Sequence, residues 1–159
     1  MIKIDLGQEI SYNPDEKGYV MFDLTNFIPQ QSSQVVDGVE LLPKNEYHSS
    51  LVSLERYIQD KDEAHRIALS IKEYLMDHQL TYAGLGDERY VCKREERMTL
   101  VAPVAIEGLD EFRAFITSLI PDFDPPFSHI TLLKSAATEF GIGINSMSDL
   151  DQYCTRFDQ

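Results

Sequence analysis

This chain is short of positive charge. Lys and Arg total 14 against 27 Asp and Glu, a net charge of −13 over 159 residues. Gripping a polyanion takes clustered basic side chains, so this balance argues against long nucleic acid or an anionic membrane surface as a standing partner. A small phosphate ligand stays open, because a pocket needs only a few local donors. Long hydrophobic runs are missing too. No stretch approaches the ~20 apolar residues of a membrane span, and Met1 to Glu9 lacks the charged-then-apolar pattern of a signal. Cysteine is nearly absent: Cys92 and Cys154 stand far apart without metal-ligand spacing, and are expected to be free thiols in a reducing cytoplasm. Low-complexity segments are lacking, so one domain spanning 1–159 is expected.

Familiar catalytic fingerprints are missing as well. No Gly-x-Ser-x-Gly elbow occurs, which argues against a Ser-His-Asp hydrolase. Gly84-Leu85-Gly86 and Gly141-Ile142-Gly143 lack the third glycine and the strand-to-helix setting of a dinucleotide site.

What is present is a short internal echo. Tyr47-His48-Ser49-Ser50-Leu51-Val52 and Ser128-His129-Ile130-Thr131-Leu132-Leu133 both read His-x-(Ser/Thr)-Leu-apolar. The two histidines lie 81 positions apart, close to half the chain. A strand turns alternate side chains to one face. His48 would therefore share a face with Ser50, and His129 with Thr131. One His-x-(Ser/Thr) means little, since roughly one histidine in seven meets it by chance. Two with a following Leu, at half-chain spacing, are much less expected.

The surrounding elements fit an α+β domain with mainly antiparallel pairing. Tyr19–Leu24 reads as an apolar segment. Gln30–Gln34 reads as a polar loop, and Asp37-Gly38 as a hairpin turn. Pro43-Lys44-Asn45 breaks the chain before the first motif strand. Gln59 to His78 carries a helical stripe of Ala64, Ile67, Ala68, Ile71, Tyr74 and Leu75, with Asp60, Asp62 and Glu63 at its positive end. Tyr82–Cys92 and Met98–Ile106 read as strands joined through Lys93–Arg97, with Gly84 and Gly86 marking a bulge or a close backbone approach. Leu109–Ile120 reads as a helix ended by Pro121, and Pro125-Pro126 introduces the second motif strand. Gly141 and Gly143 flank a short apolar turn or strand. A last helix is expected from about Ser148, with a Ser148/Asp151 capping box and Leu150, Tyr153, Cys154 and Phe157 on one side.

Two imidazoles and two hydroxyls meeting from opposite halves make a site suited to phosphate. Phosphodiester cleavage needs one proton taken from the attacking oxygen and another delivered to the leaving oxygen. Histidine serves both tasks near neutrality. The hydroxyls of Ser50 and Thr131 can donate to phosphoryl oxygens as charge develops. This scheme requires no metal or other cofactor. Zinc held by the histidines with Glu46 is a weaker reading, because zinc-site spacing is absent.

The paired motifs resemble the two-histidine (2H) phosphoesterase superfamily, whose members include RNA 2′,3′-cyclic phosphodiesterases and 2′-5′ RNA ligase-like proteins. The resemblance rests on the motifs and the outline of element order. It implies a bilobed fold, with pseudo-twofold halves around a central cleft and helices outside. It also implies catalysis without metal by His48, Ser50, His129 and Thr131, with Ser50 where the family more often has Thr. It further implies that His129 activates the nucleophile and His48 protonates the leaving group. The expected substrate is a small nucleotide: a 2′,3′-cyclic phosphate, a 2′-5′ linked oligonucleotide or a cyclic nucleotide. The alternative is a non-catalytic nucleotide-binding module on the same fold. Either is expected to be a cytoplasmic monomer.

Around the motifs, Phe127 shares the His129 face, where it can stack on a base or pack in the core. Lys134 and Arg56 follow the motifs and can steer phosphate. His65 and His78, on the first helix, have no matching motif. His65 is expected in solvent, and His78 at the helix C-terminus.

Overall fold

The computed structural model describes residues 2–136, 138, 142–144 and 146–157. Three short strands, β1 (Ile4–Gly7), β2 (Ile10–Asn13) and β3 (Tyr19–Asp23), form an antiparallel meander. The hairpin β4 (Gln34–Val36) and β5 (Val39–Pro43) turns at Asp37-Gly38 as expected. Both turn residues have positive φ, 52° and 78°, the combination a two-residue hairpin of matching twist requires. The first motif strand is β6 (His48–Ser53), followed by a 3-10 turn at Leu54–Arg56. Helix α1 (Lys61–Asp77) starts at Asp60, whose side chain accepts from the Asp62 N–H.

The region read as one strand over Tyr82–Cys92 is two, β7 (Thr81–Leu85) and β8 (Tyr90–Arg94). Both pair antiparallel with the long β9 (Arg97–Glu107), β8 along its first half and β7 along its second. Residues 86–89 loop out between them, and a register shift falls at Tyr82/Gly84. Helix α2 (Leu109–Leu119) begins after Gly108, at φ +86°. A Cβ there would lie 2.6 Å from the Gln79 carbonyl oxygen, so only glycine fits.

The second motif strand, β10 (His129–Ser135), precedes α3 (Met147–Tyr153) and β11 (Cys154–Arg156). The chain end corrects two expectations. Ser146, not Ser148, caps α3, its hydroxyl accepting from the Asp149 N–H: the same Ser-x-x-Asp pattern occurs two residues earlier and is the one used. The helix stops at Tyr153 because Cys154–Arg156 pair with β8, and strand pairing overrides the helical spacing of Cys154 and Phe157. Of the Gly141–Gly143 segment, Gly141 lies outside the described residues. Ile142 and Ile144 are buried.

Cys92 and Cys154 face each other across that β8–β11 pair and are joined as a disulfide, with Cα atoms 4.0 Å apart. The expectation of free thiols is therefore wrong, and the ground on which a reducing cytoplasm was inferred goes with it. The 62-residue separation concealed the pairing, which only the fold creates.

The architecture is α+β, with two antiparallel sheets in two lobes. One sheet runs β1-β2-β3-β6; the other runs β11-β8-β9-β10-β5-β4, with β7 added on β9. Each contains one motif strand. The halves are not equal, because β4 and β5 come from the first half of the sequence yet pair with β10 in the second lobe. β6 and β10 lie against each other without pairing, where the sheets meet. One apolar cluster continues through both lobes, from Leu6, Val20 and Ile71 to Leu100, Phe112 and Ile130. α1 packs on β1, and Gln8 ties the two: its amide donates to the Leu75 and His78 carbonyls and accepts from the Leu80 N–H. His78 caps α1, stacked on Tyr74, while His65 is exposed beside Tyr12. No helix among the described residues is long and apolar enough to cross a membrane.

Candidate active site

Alternation along β6 and β10 sorts the motif residues. Ser49, Leu51, Ile130 and Leu132 are buried, while His48, Ser50, His129 and Thr131 are half-buried on the other face. Among the described residues no protein group hydrogen-bonds to the Ser50 or Thr131 hydroxyl, so both are free to donate to a ligand. His129 is near enough for its charge to bear on His48.

The first motif is locked from upstream. Buried Tyr47 accepts from the Leu24 N–H through its carbonyl and donates its own N–H to the Thr25 hydroxyl. Thr25 in turn donates its N–H and hydroxyl to Asp23, at 2.9 and 2.6 Å. Asp23 pairs across the ladder with His48, so the two side chains share a face. Burial alone would raise the Asp23 carboxyl, but the two bonds from Thr25, with Lys3 and His48, outweigh it and hold the pKa below the ordinary value. His48 thus begins its strand beside a fixed carboxylate. Burial, foremost, and the charge of Lys44 next, push its imidazole down to about 4. Asp23 opposes this, and His129 and Lys3 add to it.

The second histidine is oriented by its own strand. His129 Nδ1 lies 2.6 Å from the Phe127 carbonyl oxygen, which can only accept, so Nδ1 carries the proton. Nε2 is then left bare as a proton acceptor. The Phe127 ring lies parallel to the imidazole, 5.6 Å between centroids and 5° between planes. Part of the residue reaches solvent, yet the ring is crowded. Burial lowers its pKa, the bond to Phe127 opposes this, and Lys44 lowers it further.

Phe127 packs edge-on against Tyr90 and belongs to a small second cluster with Cys92, Val101, Ile142, Ile144, Leu150 and Cys154. The structure thus makes it a buttress of His129. Lys134 lies on the same face as Thr131, because a bulge between Thr131 and Leu133 resets the alternation. Arg56 lies beyond the far end of β6; its guanidinium stands 3.9 Å from Asp149 and over the Tyr57 ring. A cavity of about 640 Å3 lies on the opposite face of the second sheet, over Leu100, Leu132 and Leu133 and under Gln30–Gln34. The motif residues do not line it.

Two residues of this site escaped the sequence reading. Asp23 ends an apolar run, and its signal was the polar residue alternating with Phe22 and Leu24. Lys44 sits in a Pro-Lys-Asn breaker that reads as a turn. Among the described residues no three His, Cys, Asp or Glu side chains gather as metal ligands.

Comparison of the chain with protein-family models, curated proteins and solved structures finds no match.

Proposed function

We propose that this protein is a paired-histidine phosphodiesterase acting on a small nucleotide, of the kind the 2H resemblance implies. The observation that carries the proposal is the pair of half-buried imidazole–hydroxyl couples, on two strands that meet between lobes. On a 2′,3′-cyclic phosphate, water attacks phosphorus and gives its proton to His129 Nε2. The bond from phosphorus to one ribose oxygen breaks, and that oxygen takes a proton from His48. Ser50 and Thr131 donate to the non-bridging oxygens as negative charge grows on them. The scheme itself calls for no metal. The preference for a short substrate follows from the overall net charge of −13, and a monomer is the simplest form; with Cys92 and Cys154 joined, nothing favours a reducing compartment.

The acid must be charged, and in the empty site both histidines are pushed toward neutrality. A phosphate between them supplies the missing negative charge and raises both. Substrate binding therefore draws onto His48, from solvent, the proton it later gives to the leaving oxygen. The same neutrality favours the second reading, a nucleotide-binding module that does not turn over.

The test is a panel of 2′,3′-cyclic nucleotides, 2′-5′ oligoadenylate and cyclic dinucleotides, assayed with EDTA present. Turnover of one of them, reduced about 10²- to 10⁴-fold by His48→Ala and by His129→Ala, is the expected result. Tight binding without turnover establishes the module instead. Activity lost to EDTA and restored by zinc overturns the metal-free scheme.

A further inference from the structure

Among the described residues, two lysines stand on the site face without a carboxylate at ion-pair distance. β5 pairs with β10 at Pro43↔Leu133 and Leu42↔Lys134. Leu42 therefore shares the Lys134 face, and alternation returns Lys44 to it. One step past Pro43, Lys44 flanks the stretch of β10 that carries Thr131. It also opens the four-residue crossover, Lys44 to Tyr47, that leads from the second sheet into His48 of the first. Lys44 thus stands between the motif strands. Its charge is felt at both imidazoles and at Lys134.

Both lysines are half-buried. Among the described residues, no carboxylate lies within ion-pair distance of either one. Burial, and then the charge of Lys134, hold the Lys44 ammonium below its ordinary value, with Glu46 opposing. Acids outnumber bases almost two to one in this chain, so two adjacent unpaired cations are not what composition alone would place here. Unpaired, partly desolvated positive charge is costly unless an anion joins it.

One phosphate is already provided for by the two histidines and two hydroxyls. Lys134 extends past it: at about 3.3 Å per residue it lies about 10 Å up the strand from Thr131, and Lys44 stands between the two places. We propose that Lys44 and Lys134 form a second anion subsite, one phosphate along from the reacting one, and that the substrate is an oligonucleotide or cyclic dinucleotide carrying at least two phosphates. This rests on the phosphodiesterase reading and names the substrate class within it.

The experiment compares two probes: a nucleoside 2′,3′-cyclic monophosphate, and a dinucleotide ending in a 2′,3′-cyclic phosphate. Binding is measured by calorimetry in the His129→Ala protein, where the probes persist, with and without Lys44→Gln and Lys134→Gln together. The two-phosphate probe is expected to bind about tenfold tighter or more, as a charge-assisted contact allows. The double lysine variant is expected to lose that advantage, weakening the two-phosphate probe about tenfold more than the one-phosphate probe. Equal affinity for the probes, a preference that survives lysine removal, or equal loss on both probes overturns the proposal. Circular dichroism of the variants excludes misfolding as the cause of a loss. Turnover by the unaltered protein is scored separately, so failure of the catalytic reading and failure of the subsite give different results.

Discussion

Between pH 6.5 and about 4 the unfolded chain binds a proton at His48 that the folded chain refuses. Stability from this group is full above pH 6.5 and is lost as the pH falls through that window, by about 3 kcal/mol in all. His48→Gln removes the titration. Denaturant titrations at pH 7 and pH 4 should show the native protein losing about 3 kcal/mol more than the variant between the two; parallel losses would show that His48 titrates normally. The same environment sets the catalytic profile. With both free-protein values below 6.5, kcat/KM should be bell-shaped with its maximum on the acid side of 6.5. Its two limbs belong to the coupled pair and not to either ring. The kcat profile should lie at higher pH, because bound phosphate raises both rings. A kcat/KM maximum at or above pH 7 contradicts the buried, lysine-flanked setting.

At the scale of elements, the long periodic segments were legible and the edges were not. α1 and α2 fell within two residues of their expected ends, because apolar stripes and end signals agree there. β6 and β10 were legible through alternation alone. Continuity of the β7–β8 strand misled, since residues 86–89 loop out while both arms stay on β9. Helical spacing at Cys154 and Phe157 misled because β11 gains a partner in β8 and a covalent bond to Cys92. The candidate site was half legible. Motif residues announce themselves by repetition, but Asp23 and Lys44 become neighbours only through strand register. The disulfide carries a prediction of its own. Closing a loop of about 60 residues is worth about 4 kcal/mol in the chain-entropy account. Cys92→Ser with Cys154→Ser, or reduction with dithiothreitol, should lower the denaturation free energy by about 2–4 kcal/mol. An unchanged midpoint under reducing conditions contradicts the bond. Because β11 and α3 contribute to the cluster behind Phe127, reduction should also move the His129 titration toward 6.5.

Over the whole molecule, charge is distributed against its average. A protein of net charge −13 sets Lys44 near both imidazoles where its lobes meet, with Lys3 near His48 and Lys134 near Lys44. Under the proposed function, such a surface repels a long polyanion and keeps one local place for a short one. The proposed chemistry depends on a single arrangement, in which two rings from two sheets share one anion. The most direct measurement follows the imidazole resonances of His48 and His129 by NMR as the pH is varied, with and without a nucleoside 2′-monophosphate. Both rings are expected to titrate below 6.5 in the free protein and to rise together when the nucleotide binds. A nucleotide that moves only one ring, or neither, would show that the two do not share an anion.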